Sequence, residues 1–446
     1  MQRREFITLL GGAAAAWPRV AHTHRPSDRL WHIWRQRRRQ QSCARRQANG
    51  CHHPGARGVS AMRLLAKILL AGDAFFVVLI DTSAACPRHH PAVTSCQFIF
   101  ETAPYRSSHA STLVAGKRGL LAAWYGGTAE GSADVQIWMS RHRENGRWSP
   151  PIAVANGTQP DGSQLPTWNP VLFRSRTGLL TLFYKVGPDP KSWWGMVMVS
   201  NDEGSSWSRP VRLQDGILGP IKNKPIQLAD GKILAPSSTE HGGWHVHVES
   251  SLDDGGTWHS TGPLNGDDLS VIQPTLLPYS ENKIQMLVRN GQHGPPESQN
   301  MILESWSHDR GQTWTPLRPT LLPNPNSGID AVKLRDGRAL LVFNDTTLGR
   351  NPLSVAVSSD RGIQWFKALE LENEAGKEFS YPAVIQHKDG MVHITYTWMR
   401  ERIKHVTINP MNRHLELTQS PEGVNRFRAA DPHQRLRQPH AGHHAK

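Results

Sequence analysis

The sequence predicts an all-β chain wound into a β-propeller, and three observations carry that prediction. The phrase Ser-x-Asp-x-Gly-x-x-Trp occurs four times, as SNDEGSSW (200–207), SLDDGGTW (251–258), SHDRGQTW (307–314) and SSDRGIQW (358–365). Its tryptophans fall at 207, 258, 314 and 365, intervals of 51, 56 and 51. A degenerate copy, SRHRENGRW, ends at Trp148. A period near 50 residues is the range of propeller blades. Between the copies run short alternating segments such as LLTLFYKV, WHVHVESS, KIQMLVRN and VHITYTW, parted by ADG, RDG and KDG turns. Strong helical periodicity is missing. Repeated four-stranded antiparallel units of this kind build propellers.

Each position of the phrase has a local reason. The Asp accepts bonds from nearby backbone N–H groups, and the Gly permits positive φ. The Ser ends an incoming strand. The Trp opens the outgoing one and packs between neighbouring sheets. One copy offers too few oxygens to hold calcium, so the phrase reads as architecture.

The ends of the chain differ from its middle. The formal charge is +14 over 446 residues. Residues 1–61 hold 12 Arg and no Lys against Glu5 and Asp28, or +10, leaving +4 for residues 62–446. The basicity is terminal, which argues against a nucleic-acid partner. MQRREFITLLGGAAAAWP resembles a twin-arginine export signal, and a second signal-like segment starts at Met62. Residues 1–61 read as a fused or mis-assigned extension, and 62–95 as the second signal and a linker. Either start implies export. The apolar run at 64–80 is too short and interrupted for a comfortable membrane span. The four cysteines are Cys43, Cys51, Cys86 and Cys96, and a Cys86–Cys96 bridge is a candidate. Residues 421–446, basic and His-rich, read as a disordered tail.

The four phrases are Asp boxes, and from about Phe98 to Pro410 the chain resembles the sialidase (neuraminidase) superfamily. The resemblance implies a six-bladed propeller over 96–420. CQFIFETAP and RIKHVTINP would share its closing blade. It also implies an exo-α-sialidase type of glycoside hydrolase with no cofactor and no metal, acting as a monomer on an acidic glycan.

Members of that superfamily hold a sugar carboxylate with three arginines, a pairing suited to planar bidentate contacts. They use a Tyr nucleophile backed by a Glu, and a loop acid/base. Carried over by position, Arg350 in GRNPLSVAVSSDRG takes the place of the third arginine. Arg289 in IQPTLLPYSENKIQMLVRN takes the second, with Gln273 where the supporting Glu would stand. His109 in SSHASTLV occupies the first, where it can carry only partial positive charge. Arg106 is a nearby substitute. Glu130 in YGGTAEGSADVQIW is the acid/base candidate, ahead of Asp134. In KEFSYPAVIQHKDG the resemblance puts Phe379 at the nucleophile. Tyr381, two residues on and on the same face of a regular strand, serves if the local register differs. Lys222 and Lys224 in ILGPIKNKPIQL are expected to attract an anionic substrate. His245, His247 and Glu249 alternate in HVHVE and read as a polar strand face rather than a zinc half-site. Two further readings are a hydrolase of another uronic-acid glycan, for which His109 and Gln273 argue, and a non-catalytic carbohydrate-binding propeller, for which Phe379 argues.

Overall fold

The computed structural model describes residues 90–143, 145–291 and 299–415, together with the backbone of Arg426–Arg428. The signal-like segments, Cys86 and most of the tail lie outside the described residues.

Six antiparallel sheets follow one another along the chain. The first blade runs Ser107–Gly116, Gly119–Gly127, Gln136–His142, Ile152–Ala155 from axis to rim. The second is Thr167–Arg174, Leu180–Val186, Trp194–Ser200, Val211–Arg212, and the third Ile226–Gln227, Ile233–Thr239, His245–Ser251, His259–Ser260. The fourth is Val271–Pro278, Ile284–Asn290, Met301–Ser307, Arg318–Pro323, and the fifth Asp330–Lys333, Ala339–Asn344, Leu353–Ser358, Gln364–Glu372. The sixth takes Phe379–Gln386, Val392–Trp398 and Arg402–Ile408 from the end of the chain and Val93–Phe98 from its start. Phe98 pairs with Lys404 and Cys96 with Val406, so the two ends close the ring. The fold is thus the six-bladed all-β propeller expected from the repeat. Cys96 is disulfide-bonded.

Second strands such as Leu180–Val186 and Ile284–Asn290 are buried along their whole length, because neighbouring blades cover both faces. Their sequences accordingly carry apolar side chains on both faces, as in LFY and MLV. The core lies between blades, as in the cluster of Leu340, Val355, Val384 and Ile394 from the fifth and sixth.

The repeated phrases form four alike turns. In each, the Ser hydroxyl donates to the Asp carboxylate and accepts the Gly N–H, with Gly255 N to Ser251 Oγ at 2.8 Å. The Asp accepts the N–H four residues on, Thr257 to Asp253 at 2.8 Å. Positive φ is not confined to the Gly: Glu203, Asp254, Arg310 and Arg361 just before it are left-handed as well. Each Trp packs onto the preceding blade; Trp258 meets Phe183, and Trp365 joins Leu277 and Leu287.

Within 421–446, read as a disordered tail, Arg426–Arg428 pairs with Gln364–Glu372 as a fifth strand. An outermost strand presents unpaired backbone groups and can template such an addition.

Candidate active site

The innermost strands are not regular. Their pairing slips between His109 and Thr112, Trp168 and Val171, Ile272 and Thr275, and Ser380 and Ala383. Each slip contains one non-glycine residue with positive φ: Ala110, Asn169, Gln273 and Tyr381. A bulge of this kind re-aims a side chain. In three of the four the next residue is proline, Pro170, Pro274 and Pro382, which has no N–H to lose from the ladder.

The bulge corrects the expectation that Phe379 and Tyr381 share a strand face. Phe379 pairs with Trp398 before the slip and is fully buried in the core. Tyr381, inside the slip, meets charged side chains from three other blades. Arg289 Nη1 donates to its phenol oxygen at 2.6 Å and to Gln273 Oε1 at 2.9 Å. Gln273 Nε2 donates to the same phenol oxygen at 3.2 Å. The guanidiniums of Arg289 and Arg350 each lie 5.6 Å from the centre of the Tyr381 ring. The His109 ring lies 4.2 Å from it, and its Nδ1 is 3.0 Å from Thr397 Oγ1.

His109 does not act as a cation. Burial, and then Arg400, Arg350, Arg289 and Lys222 around it, hold its imidazole well below the usual range and therefore neutral at pH 7. Arg106 is exposed and is not among those cations. A further arginine of the cluster is Arg400, which the sequence reading missed. It sits with Met399 in a left-handed turn between Val392–Trp398 and Arg402–Ile408. Its carbonyl accepts the Ser108 N–H at 2.7 Å, which seats the turn beside the first blade. Glu378 joins two of the arginines: Arg350 Nη1 donates to its Oε1 at 3.0 Å and Arg400 Nε at 3.1 Å. Arg400 also pairs with Glu130, and the Tyr125 hydroxyl donates to the same carboxylate. Burial keeps the Tyr125 phenol protonated for that role. Among the described residues, the Nη2 groups of Arg289, Arg350 and Arg400 have no hydrogen-bond partner, and Arg350 keeps a whole Nε–Nη2 edge.

Glu130 thus stands at the rim of the cluster, on the loop after Gly119–Gly127. Asp134 closes that loop by accepting from Thr128 N and Oγ1 at 2.9 and 2.7 Å. A second carboxyl escaped the sequence reading. Glu240 lies in the turn after Ile233–Thr239, next to Trp244, whose ring stacks against Arg289 at 5.6 Å. Burial raises the Glu240 carboxyl above the usual range, with Arg289 pulling it partly back.

The two lysines have other work. Lys222 is buried, and its Nζ donates to Asn223 Oδ1, Ile329 O and Pro382 O at 2.6–2.8 Å. All three N–H bonds are spent, one on the carbonyl next to Tyr381, and burial brings its pKa down to about 7. Its bond to Pro382 O braces the bulge that holds Tyr381. Lys224 donates to both oxygens of Asp330 at 2.9 Å. Asp330, 2% exposed, also accepts Thr275 Oγ1 and Val384 N, tying four blades together below the site. His247 and Glu249 pair at 3.1 Å, and Glu249 accepts the Leu218 and Gly219 N–H groups.

Residues 118–394 match the model of the BNR repeat-like domain. A sialidase of Bacteroides fragilis is 23% identical over 252 residues, 46% of this chain and 44% of that one. The chain therefore spans less than half the length of that curated relative. Among solved structures, a Hadza microbial sialidase superposes with a TM-score of 0.60 at 19% identity, over 70% of this chain and 68% of that one. A protein of unknown function from Dyadobacter fermentans gives 0.57 at 16% identity, over 71% and 99%. Likeness at these identities speaks to the fold.

Proposed function

The chain belongs to the BNR repeat-like domain family, and from that membership and its arginine-ringed tyrosine we propose a sialidase-like glycoside hydrolase that releases a terminal acidic sugar. One observation carries the reading: Arg289 donates to the Tyr381 phenol oxygen, Arg350 lies over the Tyr381 ring, Arg400 shares Glu378 with Arg350, and the Nη2 of each has no partner among the described residues. Three such donors, one of them on the whole edge of Arg350, suit a carboxylate attached to the sugar's anomeric carbon. Tyr381 then attacks that carbon. A neutral phenol approaches it without the repulsion a carboxylate nucleophile would meet. The glycosidic C–O bond breaks as an acid, Glu130, protonates the leaving oxygen. Water next cleaves the tyrosyl-sugar bond, and the same carboxylate takes its proton. The phenol proton passes to solvent water as the new bond forms and returns from water when the tyrosyl-sugar bond breaks, and the hydrogen bonds from Arg289 and Gln273 meet the charge that develops on the phenol oxygen.

Export fits this reading. The disulfide at Cys96 supports an oxidising compartment, where such bonds persist.

The test is turnover of an α-sialoside with a fluorescent leaving group by the purified full chain, from about pH 4 to about pH 8. No turnover on that substrate or on other acidic glycosides, with the fold intact, removes the enzyme reading. The two carboxyls are told apart in the same assay. A general acid works only while protonated, so activity falls as pH rises through its pKa. With Glu130 as the acid, Glu130→Gln loses about 10²-fold or more in kcat, and Glu240→Gln keeps the wild-type alkaline limb. Loss of that limb in Glu240→Gln instead reassigns the acid to Glu240.

Gln273 favours a second reading, a carbohydrate-binding propeller without turnover, because an amide cannot accept the phenol proton. Under the enzymatic reading, Gln273→Glu supplies that base and kcat rises about tenfold or more. Tight glycan binding with no product from either form establishes the binding reading instead.

A further inference from the structure

The sixth blade carries histidines that the site chemistry does not use, on the face that meets the first blade. His387 sits in the turn between Phe379–Gln386 and Val392–Trp398, and His393 follows on the second of these strands, opposite Ile385. His405 lies across from Thr395 on the next strand. His387 and His393 are 7% and 6% exposed, yet the Nε2 of each is sealed from solvent without a hydrogen-bond partner. A buried imidazole nitrogen left unpaired is costly, and two on adjacent rings call for one explanation. The ring centres are 5.7 Å apart. Asp389 completes the group: one ligand atom from each of His387, Asp389 and His393 lies within 4.8 Å of the other two.

The structure assigns to His387, His393 and Asp389 a binding site for a divalent transition-metal ion of the zinc class, an assignment independent of the function proposed above. Imidazole nitrogens suit zinc and its neighbours, whereas calcium and magnesium want oxygen. Asp389 Oδ2 lies 3.1 Å from His387 Nδ1 and supports the site from behind that ring, holding the His387 proton on Nδ1 and leaving the lone pair on the orphaned Nε2 for the ion. The Asp389 side chain is half exposed and gives an ion its way in.

His393 supplies a signature. Trp148 Nε1 can only donate, and it faces His405 Nδ1 at 3.2 Å. The His405 proton therefore sits on Nε2 and donates to His393 Nδ1 at 3.0 Å. That leaves the His393 proton on the buried Nε2, where no acceptor stands. An ion at Nε2 needs the opposite tautomer. His393 then carries its proton on Nδ1, 3.0 Å from His405 Nε2, and since two N–H groups cannot face each other there, His405 must accept. When His405 accepts, its own proton moves to Nδ1 and Trp148 loses its acceptor. Neither ring gains or loses a net proton, and the change reaches an indole of the first blade.

The experiment titrates the dialysed full chain with Zn²⁺ by calorimetry, with Co²⁺ by absorption, and follows the ¹⁵N indole resonances. One ion is expected beyond those bound by the His387→Gln/His393→Gln variant, in which His440, His443 and His444 of the tail remain. Asp389→Asn, a change at a half-exposed turn that spares the core, weakens the site about tenfold or more. The Trp148 resonance, identified through Trp148→Phe, shifts on saturation. Equal stoichiometry and affinity in wild type and double variant overturn the assignment. So does a Trp148 resonance unmoved at saturating Zn²⁺, the result expected if the two nitrogens merely share an ordered water.

Discussion

Replacing Arg350 by Ala is expected to lower kcat/KM on a terminal α-sialoside by about 10²–10³-fold, with the fold intact. Arg350 is the cleanest of the three arginines to remove. Its side-chain hydrogen bond within the described protein is the one to Glu378, and its guanidinium stands over the Tyr381 ring. Arg289, by contrast, also holds Tyr381, Gln273 and Asn326, so its loss would mix binding with architecture. A charge-assisted contact to a desolvated carboxylate is worth about 3–4 kcal/mol, and each 1.36 kcal/mol is about a factor of ten. The control is the methyl ester of the same sialoside. Wild type should discriminate strongly between acid and ester, and Arg350→Ala should not. Equal kcat/KM for variant and wild type on the acid would remove the carboxylate clamp from the mechanism.

The second large effect is on stability. Asp330→Ala should cost about 3–5 kcal/mol, because it leaves Lys224 without its counter-ion and strips acceptors from Thr275 and the Val384 N–H. The unfolding midpoint should fall on the order of 10 °C. Adding Lys224→Met should recover part of that loss, since the uncompensated charge goes with it. A midpoint within about 1 °C of wild type for Asp330→Ala would show that the knot carries little of the ring's stability.

The propeller was legible because its signal is local. Each turn satisfies its own backbone groups within eight residues, so the phrase announces itself wherever it occurs. Arg289 and Arg350 were legible for the same reason, lying at fixed distances from strands and turns that can be counted. Arg400 was not. It enters the cluster only because the last blade closes against the first, and no spacing along the chain encodes that meeting. Tyr381 was half legible. Strict alternation placed it with Phe379, and the bulge broke the alternation. Asn169-Pro170, Gln273-Pro274 and Tyr381-Pro382, each opening an aliphatic strand, were the available ruler. Charge in Lys222 and Lys224 suggests a substrate partner, whereas the fold supplies their ammonium groups with acceptors from the protein itself, which spacing along the chain does not reveal.

Ring closure has a kinetic meaning. Ser95 and Thr407, which share a hydrogen bond in the closing blade, are 312 residues apart. Bringing so distant a pair together costs about 5 kcal/mol of chain entropy, and contacts of such sequence separation form slowly. Tyr381 and Arg400 belong to that same late-made blade. A nascent or truncated chain can stack its earlier blades and still hold no assembled tyrosine-arginine cluster. Under the function proposed, catalysis begins only when the clasp shuts, and turnover doubles as a clock for the final step of folding.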